Sequence, residues 1–322
     1  MKKIILSDPK NFSFSSASRL FNFRTAIVLG ACRSGKTSLG TLIGSCQFVD
    51  NIEEPWTAKI ITLLSGLGMV PENLCKQILL NFITESYNET VLFRTQSFRP
   101  SDSSSIWRQK NSQEITDRLT KFQTRQDVQD YIRKNNPLFF INLTEVQSFT
   151  KLLTETLKNT KLLHVVRNGF EVASECMLKK WFSNEQLENP IKALPYKLYT
   201  FKKTLFHLPW WVGKDEEELF LSYSEYEKCI YYWCQTIEPS VVKLDQLNES
   251  NNNKTIKYSE LLRNTKEIFL DTCDYLDISP TEKSYELVDK ISHREESNPI
   301  HKETIDTHLK RRADYLNEHY GL

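Results

Sequence analysis

The sequence predicts one α/β domain with a mostly parallel central sheet flanked by helices, and three observations carry that prediction. A short β-branched apolar run leads into a glycine turn and then a helical pattern over residues 25–43. The same order of strand, turn and helix returns over residues 161–178. Neither an internal repeat nor an interdomain linker divides the 322 residues, although that length would also admit two domains at about 150 residues each. With 39% hydrophobic and 26% charged residues the chain can bury a sizeable core. A formal net charge of +1 gives no global field toward nucleic acid or an anionic membrane, and neither is expected as a partner. No run of about 18 apolar residues exists, so no transmembrane helix is expected. Ile4, Ile5 and Leu6 are too short a stretch for a signal peptide. The seven cysteines are odd in number, scattered and free of C-x-x-C pairs, which points to reduced thiols in a cytoplasmic protein and to no zinc site.

The first element is Thr25-Ala26-Ile27-Val28-Leu29, read as a buried parallel strand. Nine glycines in the whole chain is well under the usual share of about 7%, yet Gly30, Gly35, Gly40 and Gly44 crowd together just after this strand. Such crowding signals unusual backbone. Leu39, Leu42 and Ile43 then share a helical face. The turn between, Gly30 to Thr37, satisfies G-x-x-x-x-G-K-[ST], so its amides and the helix start converge on an anion. Arg33 and Lys36 add positive charge, and the Thr37 and Ser38 hydroxyls add donors. The plain alternative is a chance match in an ordinary strand-turn-helix.

A nucleoside-triphosphate enzyme would need a Mg²⁺-binding aspartate at the end of a later strand. The apolar runs at 137–143 and 161–166 end instead in Asn142, Thr144 and Glu145, and in Arg167-Asn168-Gly169. Neither supplies an aspartate, although Glu145 could be pressed into that role. Arg167, at a strand's carboxyl end and just before a helix, is placed to bind a phosphate bidentately. Val172, Ala173, Cys176, Met177 and Trp181 form the apolar face of that helix, with Lys179 and Lys180 opposite.

In these segments the chain resembles the sulfotransferases that use 3′-phosphoadenosine 5′-phosphosulfate (PAPS). Arg33-Ser34-Gly35-Lys36-Thr37-Ser38-Leu39 is similar to that family's first signature. His164-Val165-Val166-Arg167-Asn168-Gly169-Phe170-Glu171-Val172-Ala173, extended by Lys179-Lys180-Trp181-Phe182, is similar to its second. Ile256-Lys257-Tyr258-Ser259-Glu260-Leu261-Leu262 resembles a weaker third, and the three keep the family's order over about residues 25–278. The resemblance implies a P-loop-containing, NTPase-like sulfotransferase architecture, with a C-terminal helical cap over about residues 283–320. It implies PAPS as co-substrate, adenosine 3′,5′-bisphosphate as product, and a small-molecule acceptor. Arg33, Ser34, Gly35, Lys36, Thr37 and Ser38 would hold the 5′-phosphosulfate, Arg167 the 3′-phosphate, and Tyr258 would lie near the adenine. Arg294 is a further candidate phosphate contact. Lys36 stands where the family usually has Thr or Ser. The family's second 3′-phosphate ligand is a serine at the position of Glu175, with Ser174 one residue early.

Sulfuryl transfer to an alcohol needs a base for the acceptor's proton and cations near the bridging oxygen, for which Arg33 and Lys36 are the candidates; it requires no metal. Many bacterial and carbohydrate-directed members of the family place a Glu-Pro after the first helix, and Glu54-Pro55 matches it. Glu53, otherwise an acceptor contact, is the reserve base and Glu145 a further alternative; the plain reading is a solvated acidic turn before a helix starting at Trp56. The acceptor pocket is expected from segments that match nothing. These are residues 93–107 with Trp107, residues 196–214 with His207, Trp210 and Trp211 as a lid, and Trp56 beside the base. Plain packing would also account for the paired tryptophans. Residues 246–255 read as an exposed loop. The last helix, over 301–320, carries Ile305, Leu309, Ala313 and Leu316 as its buried stripe.

Overall fold

The computed structural model describes residues 24–192, 194–248, 252–293 and 304–322. The chain enters the sheet at β1 (Arg24–Leu29), and alternation along the strand decides what each face packs. Ala26 and Val28 join one buried cluster, with Leu39, Leu42 and Ile43 of the following helix, Lys36–Gly44. Ile27 and Leu29 join a second cluster on the opposite face, with Ile61, Leu79 and Ile83. A strand apolar on both faces belongs in the middle of a helix-covered parallel sheet. The other strands are β2 (Val49–Glu53), β3 (Leu138–Asn142), β4 (Lys161–Val166), β5 (Tyr196–Phe201), β6 (Thr204–Pro209) and β7 (Asn253–Lys257). Five of them form one sheet in the order β2-β3-β1-β4-β7, and each pairing is parallel. The strands expected from the sequence near 25–29, 138–142, 162–166 and 254–258 are present as β1, β3, β4 and β7, their ends within a residue.

Because all five strands run the same way, the turns after β1, β2, β3 and β4 gather at one carboxyl edge, where open α/β sheets bind ligands. β1 lies between β3 and β4, so the Gly30 turn and the Arg167 turn are neighbours. A third apolar cluster surrounds the long helix Glu225–Asn248 through Tyr231, Tyr232 and Trp233, and it includes Phe206 and Leu208 of β6. No helix among the described residues is long and apolar enough to cross a membrane.

Two expectations are corrected. Residues 196–214 are not a loop throughout: β5 and β6 form an antiparallel hairpin with Phe201 paired to Thr204. Its two-residue turn, Lys202-Lys203, has positive φ at both residues (48° and 71°), and that is normally glycine and asparagine territory, so no turn signal marked it. Residues 246–255 are not one loop either. The helix runs to Asn248, and Asn253 to Thr255 lie in β7, held against Leu162, Leu163 and His164. Helix Glu282–Ser292 packs Leu287, Val288 and Ile291 on the first cluster, whereas Thr307–Tyr320 packs Leu309, Ala313 and Leu316 on the third.

The edge strand β2 is pinned by charge. Asp50 is buried, and Arg118 of helix Ser112–Lys121 bonds its carboxylate while lying over the rings of Phe93 and Tyr131. Burial opposes the guanidinium's charge, but Asp50 more than restores it and raises the Arg118 pKa. Removing one partner strands the other charge in the core. Arg118→Ala is therefore expected to cost about 3–5 kcal/mol in urea unfolding, with Asp50→Asn less severe because its amide still fills the site. A loss under about 1 kcal/mol for Arg118→Ala would show that the pair is not what holds β2 in place.

Candidate active site

β1 is followed by Gly30, whose φ is +149° and where a Cβ would meet the Val165 carbonyl of β4 at 2.5 Å. The turn can thus form against β4 only without a side chain at that point. Arg33 takes the left-handed conformation (φ 61°), and Gly35 (φ +99°) starts the helix. A Cβ on Gly35 would lie 2.1 Å from the ring of Tyr258, the first residue after β7, so Tyr258 is seated directly on the turn. At the start of Lys36–Gly44 the Ser38 amide donates to the Gly35 carbonyl at 3.0 Å, and the amides before it precede the first helical hydrogen bond, an arrangement that suits an anion.

The charged side chains then fall into place. Arg33 donates from Nη2 and Nε to one oxygen of Glu175, at 2.6 and 3.2 Å. Arg167 donates from Nε to Glu171 at 2.9 Å and from Nη1 to the Arg33 carbonyl at 3.0 Å. Its guanidinium lies 4.9 Å from the centre of the Tyr258 ring. Lys36 differs from the expectation of a cation facing the bridging oxygen. Its Nζ donates to the Ala31 carbonyl at 2.6 Å, bracing the turn from inside, and burial pulls its pKa below the usual lysine value.

Two cavities open at this edge. One, of about 340 Å³, is lined by Arg33, Gly35, Lys36, Thr37, Ser38, Arg167 and Tyr258, that is, by most of the residues the sequence assigned to an anionic nucleotide. Ser103, Arg108 and Lys290 also line it, so part of the segment expected at the acceptor lies on this side instead. Two of the expected contacts are turned elsewhere. The Ser34 hydroxyl is buried under Gly30, and Ser174 donates to the Phe170 carbonyl at 2.9 Å on the buried side of its helix. Arg294 lies outside the described residues.

The second cavity, about 300 Å³, is walled by Trp56, Trp181, Tyr196, Trp210 and Trp211. Its polar lining includes Glu54, Thr144, and the ion pair of Lys59 and Glu145, 2.6 Å apart and mostly buried. Burial works against the Lys59 ammonium, but Glu145 and the Cys32 sulfur raise its pKa above normal. Burial likewise opposes the Glu145 carboxylate, and Lys59 wins, holding it ionised. The same burial pushes the Cys32 thiol, 3.2 Å from Glu145, up to about 12. Trp107 and His207 are not in this wall. Trp107 donates from Nε1 to the Phe98 carbonyl at 3.0 Å, and His207 sits in β6 edge-on to Tyr196.

Glu54 lines both cavities. β2 ends at Glu53, and Glu54 follows in the left-handed conformation (φ 42°), its amide bonded to the Asn142 carbonyl at 3.1 Å. A non-glycine residue held there stores strain, and the pinned strand before it and Pro55 after it maintain the position. Thr144 donates to its carboxylate at 2.6 Å. Glu53 points the other way and lines neither cavity. One of its oxygens accepts from Thr37 at 2.6 Å and from Asn142 at 2.7 Å, while burial raises its pKa. Neither Lys59 nor Trp181 was expected in this cavity from the sequence. A lone lysine in the apolar helix Trp56–Gly66 was the available signal for Lys59; Trp181 was read as part of a helical face, but the helix ends at Leu178.

No protein-family model matches the chain. No curated protein matches it either. Among solved structures, it is similar to the sulfotransferase domain of the Synechococcus PCC 7002 olefin synthase, at 14% identity and TM-score 0.49 over 94% of this chain and 96% of that one. It is similar to the sulfotransferase domain from the curacin biosynthetic pathway, at 12% identity and TM-score 0.48 over 92% and 98%. A third is sulfotransferase STF9 of Mycobacterium avium, at 9% identity and TM-score 0.45 over 93% and 76%.

The position of Glu53 makes a pH-dependent prediction. A carboxyl whose pKa rises on folding contributes stability below its unfolded pKa, and that contribution is lost as pH rises through the folded value. Glu53→Gln keeps an oxygen for Thr37 and Asn142 but never ionises. Thermal unfolding should find the variant at least as stable as wild type at pH 7, with its relative advantage shrinking as pH falls toward 4. A variant clearly less stable at pH 7 and level with wild type in acid would reverse the sign.

Proposed function

We propose that the protein transfers a sulfuryl group from PAPS to a hydroxyl, or an amine, of a small molecule, with Glu54 as general base. The observation that carries this reading is the position of Glu54, shared by a cationic cavity and an aromatic one. A carboxylate at such a junction can take a proton from a group held on one side while transfer proceeds from the other. The first cavity suits an anionic purine nucleotide on its own chemistry, because it combines three arginines, a helix start and an aromatic ring. The resemblance in the Arg33 and Arg167 segments names that nucleotide as PAPS.

In the proposed reaction the sulfur leaves its phosphate oxygen, bonds the acceptor oxygen, and the acceptor's proton passes to Glu54. Arg33 offsets the charge that builds on the departing phosphate, and Arg167 grips the 3′-phosphate. Tyr258 packs against Arg167 and so fixes its plane. The tryptophans of the second cavity exclude water and present a ring or hydrocarbon face to the acceptor. Glu145 is a poorer base than Glu54, since Lys59 and Cys32 already bond its oxygens. A phosphotransferase reading through Gly30 to Thr37 is weakened by the position of Lys36, whose ammonium is occupied with Ala31.

Calorimetry tests the donor. Adenosine 3′,5′-bisphosphate should bind at micromolar Kd or tighter without Mg²⁺, and ATP should bind much more weakly. Mg²⁺-dependent ATP binding in its place would overturn the assignment. A panel of acceptors with labelled PAPS then tests the base. Glu54→Gln should lower kcat by roughly 10²–10⁴-fold with little change in nucleotide affinity. Arg167→Ala should weaken the nucleotide first, by about 1.5–3 kcal/mol. Near-full turnover by Glu54→Gln would move the base elsewhere.

A further inference from the structure

We propose that Glu175 is a built-in competitor for the anion that Arg33 reads, setting the donor site weaker than its arginines alone would make it. The proposal rests on the donor reading above. Helix Gly169–Leu178 follows the turn after β4 and carries Glu171 and Glu175 one turn apart on its surface. The two carboxylates have different tasks. Glu171 bonds Arg167 from four residues away and orients it. Glu175 reaches across to the turn after β1, where its Oε2 takes both the Nε and the Nη2 protons of Arg33.

That edge of a guanidinium, with two donors side by side, is the one that reads a phosphate or sulfate. In this structure a carboxylate from the protein itself holds it. The Arg33 side chain is 41% exposed and that of Glu175 22%, so the pair stands where an arriving anion can reach it. An anion that takes the fork must displace Glu175 and then remain close to it, and like charges at short range weaken each other's binding. When product departs, the carboxylate refills the fork. Glu175 therefore trades donor affinity for faster release, and a neutral side chain at 175 would reverse the trade.

The test is calorimetric titration of the full chain with adenosine 3′,5′-bisphosphate, comparing wild type with Glu175→Gln and Glu175→Ala. Both variants should bind about tenfold tighter at low salt, and the gain should shrink as ionic strength rises. If Glu175 only supports Arg33, both variants should bind more weakly, because the guanidinium loses its anchor. Unchanged or weaker binding in both variants, beside a wild type that binds, overturns the competitor and leaves the donor reading intact. Absence of binding in all three proteins overturns the donor reading and the competitor with it.

Discussion

The ring of Tyr258 occupies the space that a side chain on Gly35 would fill, and the active edge is assembled around that contact. It ties the first residue after β7 to the turn after β1, across the intervening β4. Arg167, at the end of β4, packs its guanidinium on the same ring and bonds the Arg33 carbonyl. Three turns from three strands thus meet through one aromatic face and one missing Cβ. Gly30 performs the same service underneath, letting the turn lie against the Val165 carbonyl. A side chain would clash with the Tyr258 ring at Gly35 and with the Val165 carbonyl at Gly30.

Four cations along this edge each have a close partner. Arg33 has Glu175, Arg167 has Glu171 and Lys59 has Glu145, while Lys36 has the Ala31 carbonyl. Desolvating cations this deeply is costly unless each finds a partner, which is why the carboxylates are close by. The near-neutral total of the chain conceals this arrangement: a site rich in cations is balanced locally, and none of it appears in a net charge of +1. The pairs also differ in kind. Lys59 and Glu145 are closed off by burial and by Cys32, whereas Arg33 and Glu175 remain partly open to solvent.

Glu54 owes its position to elements that line neither cavity. Asp50 and Arg118 anchor β2 from below, β3 receives it along its full length, and the Asn142 carbonyl takes the Glu54 amide. The strand then stops, the backbone turns through a left-handed residue, and Pro55 begins the next helix. Adjacent carboxylates leave in opposite directions. Glu53 enters the sheet interior toward Thr37 and Asn142, and Glu54 faces the two cavities. The left-handed backbone at Glu54, just past the last extended residue, separates them.

Local patterns in the sequence determined the parallel sheet, the glycine turn at Gly30 to Thr37 and the basic turn at Arg167. Those features depend on short-range periodicity and on glycine, which a linear chain displays openly. The hairpin of β5 and β6 escaped notice because two lysines make its turn, and the start of β7 because asparagines open a strand that only β4 holds in place. Which side chains share a cavity was decided by the fold alone. Trp56, Trp181 and Trp210 come from three distant segments, and Lys59 meets Glu145 across 86 residues. Trp107 and His207 carry equally suggestive chemistry, yet they face other surroundings. The hydroxyl of Ser174 was lost to the Phe170 carbonyl, and the fork of Arg33 to Glu175. Residue type and spacing were legible from the chain itself. The direction of each side chain and the partner it met were set by packing between segments far apart in sequence.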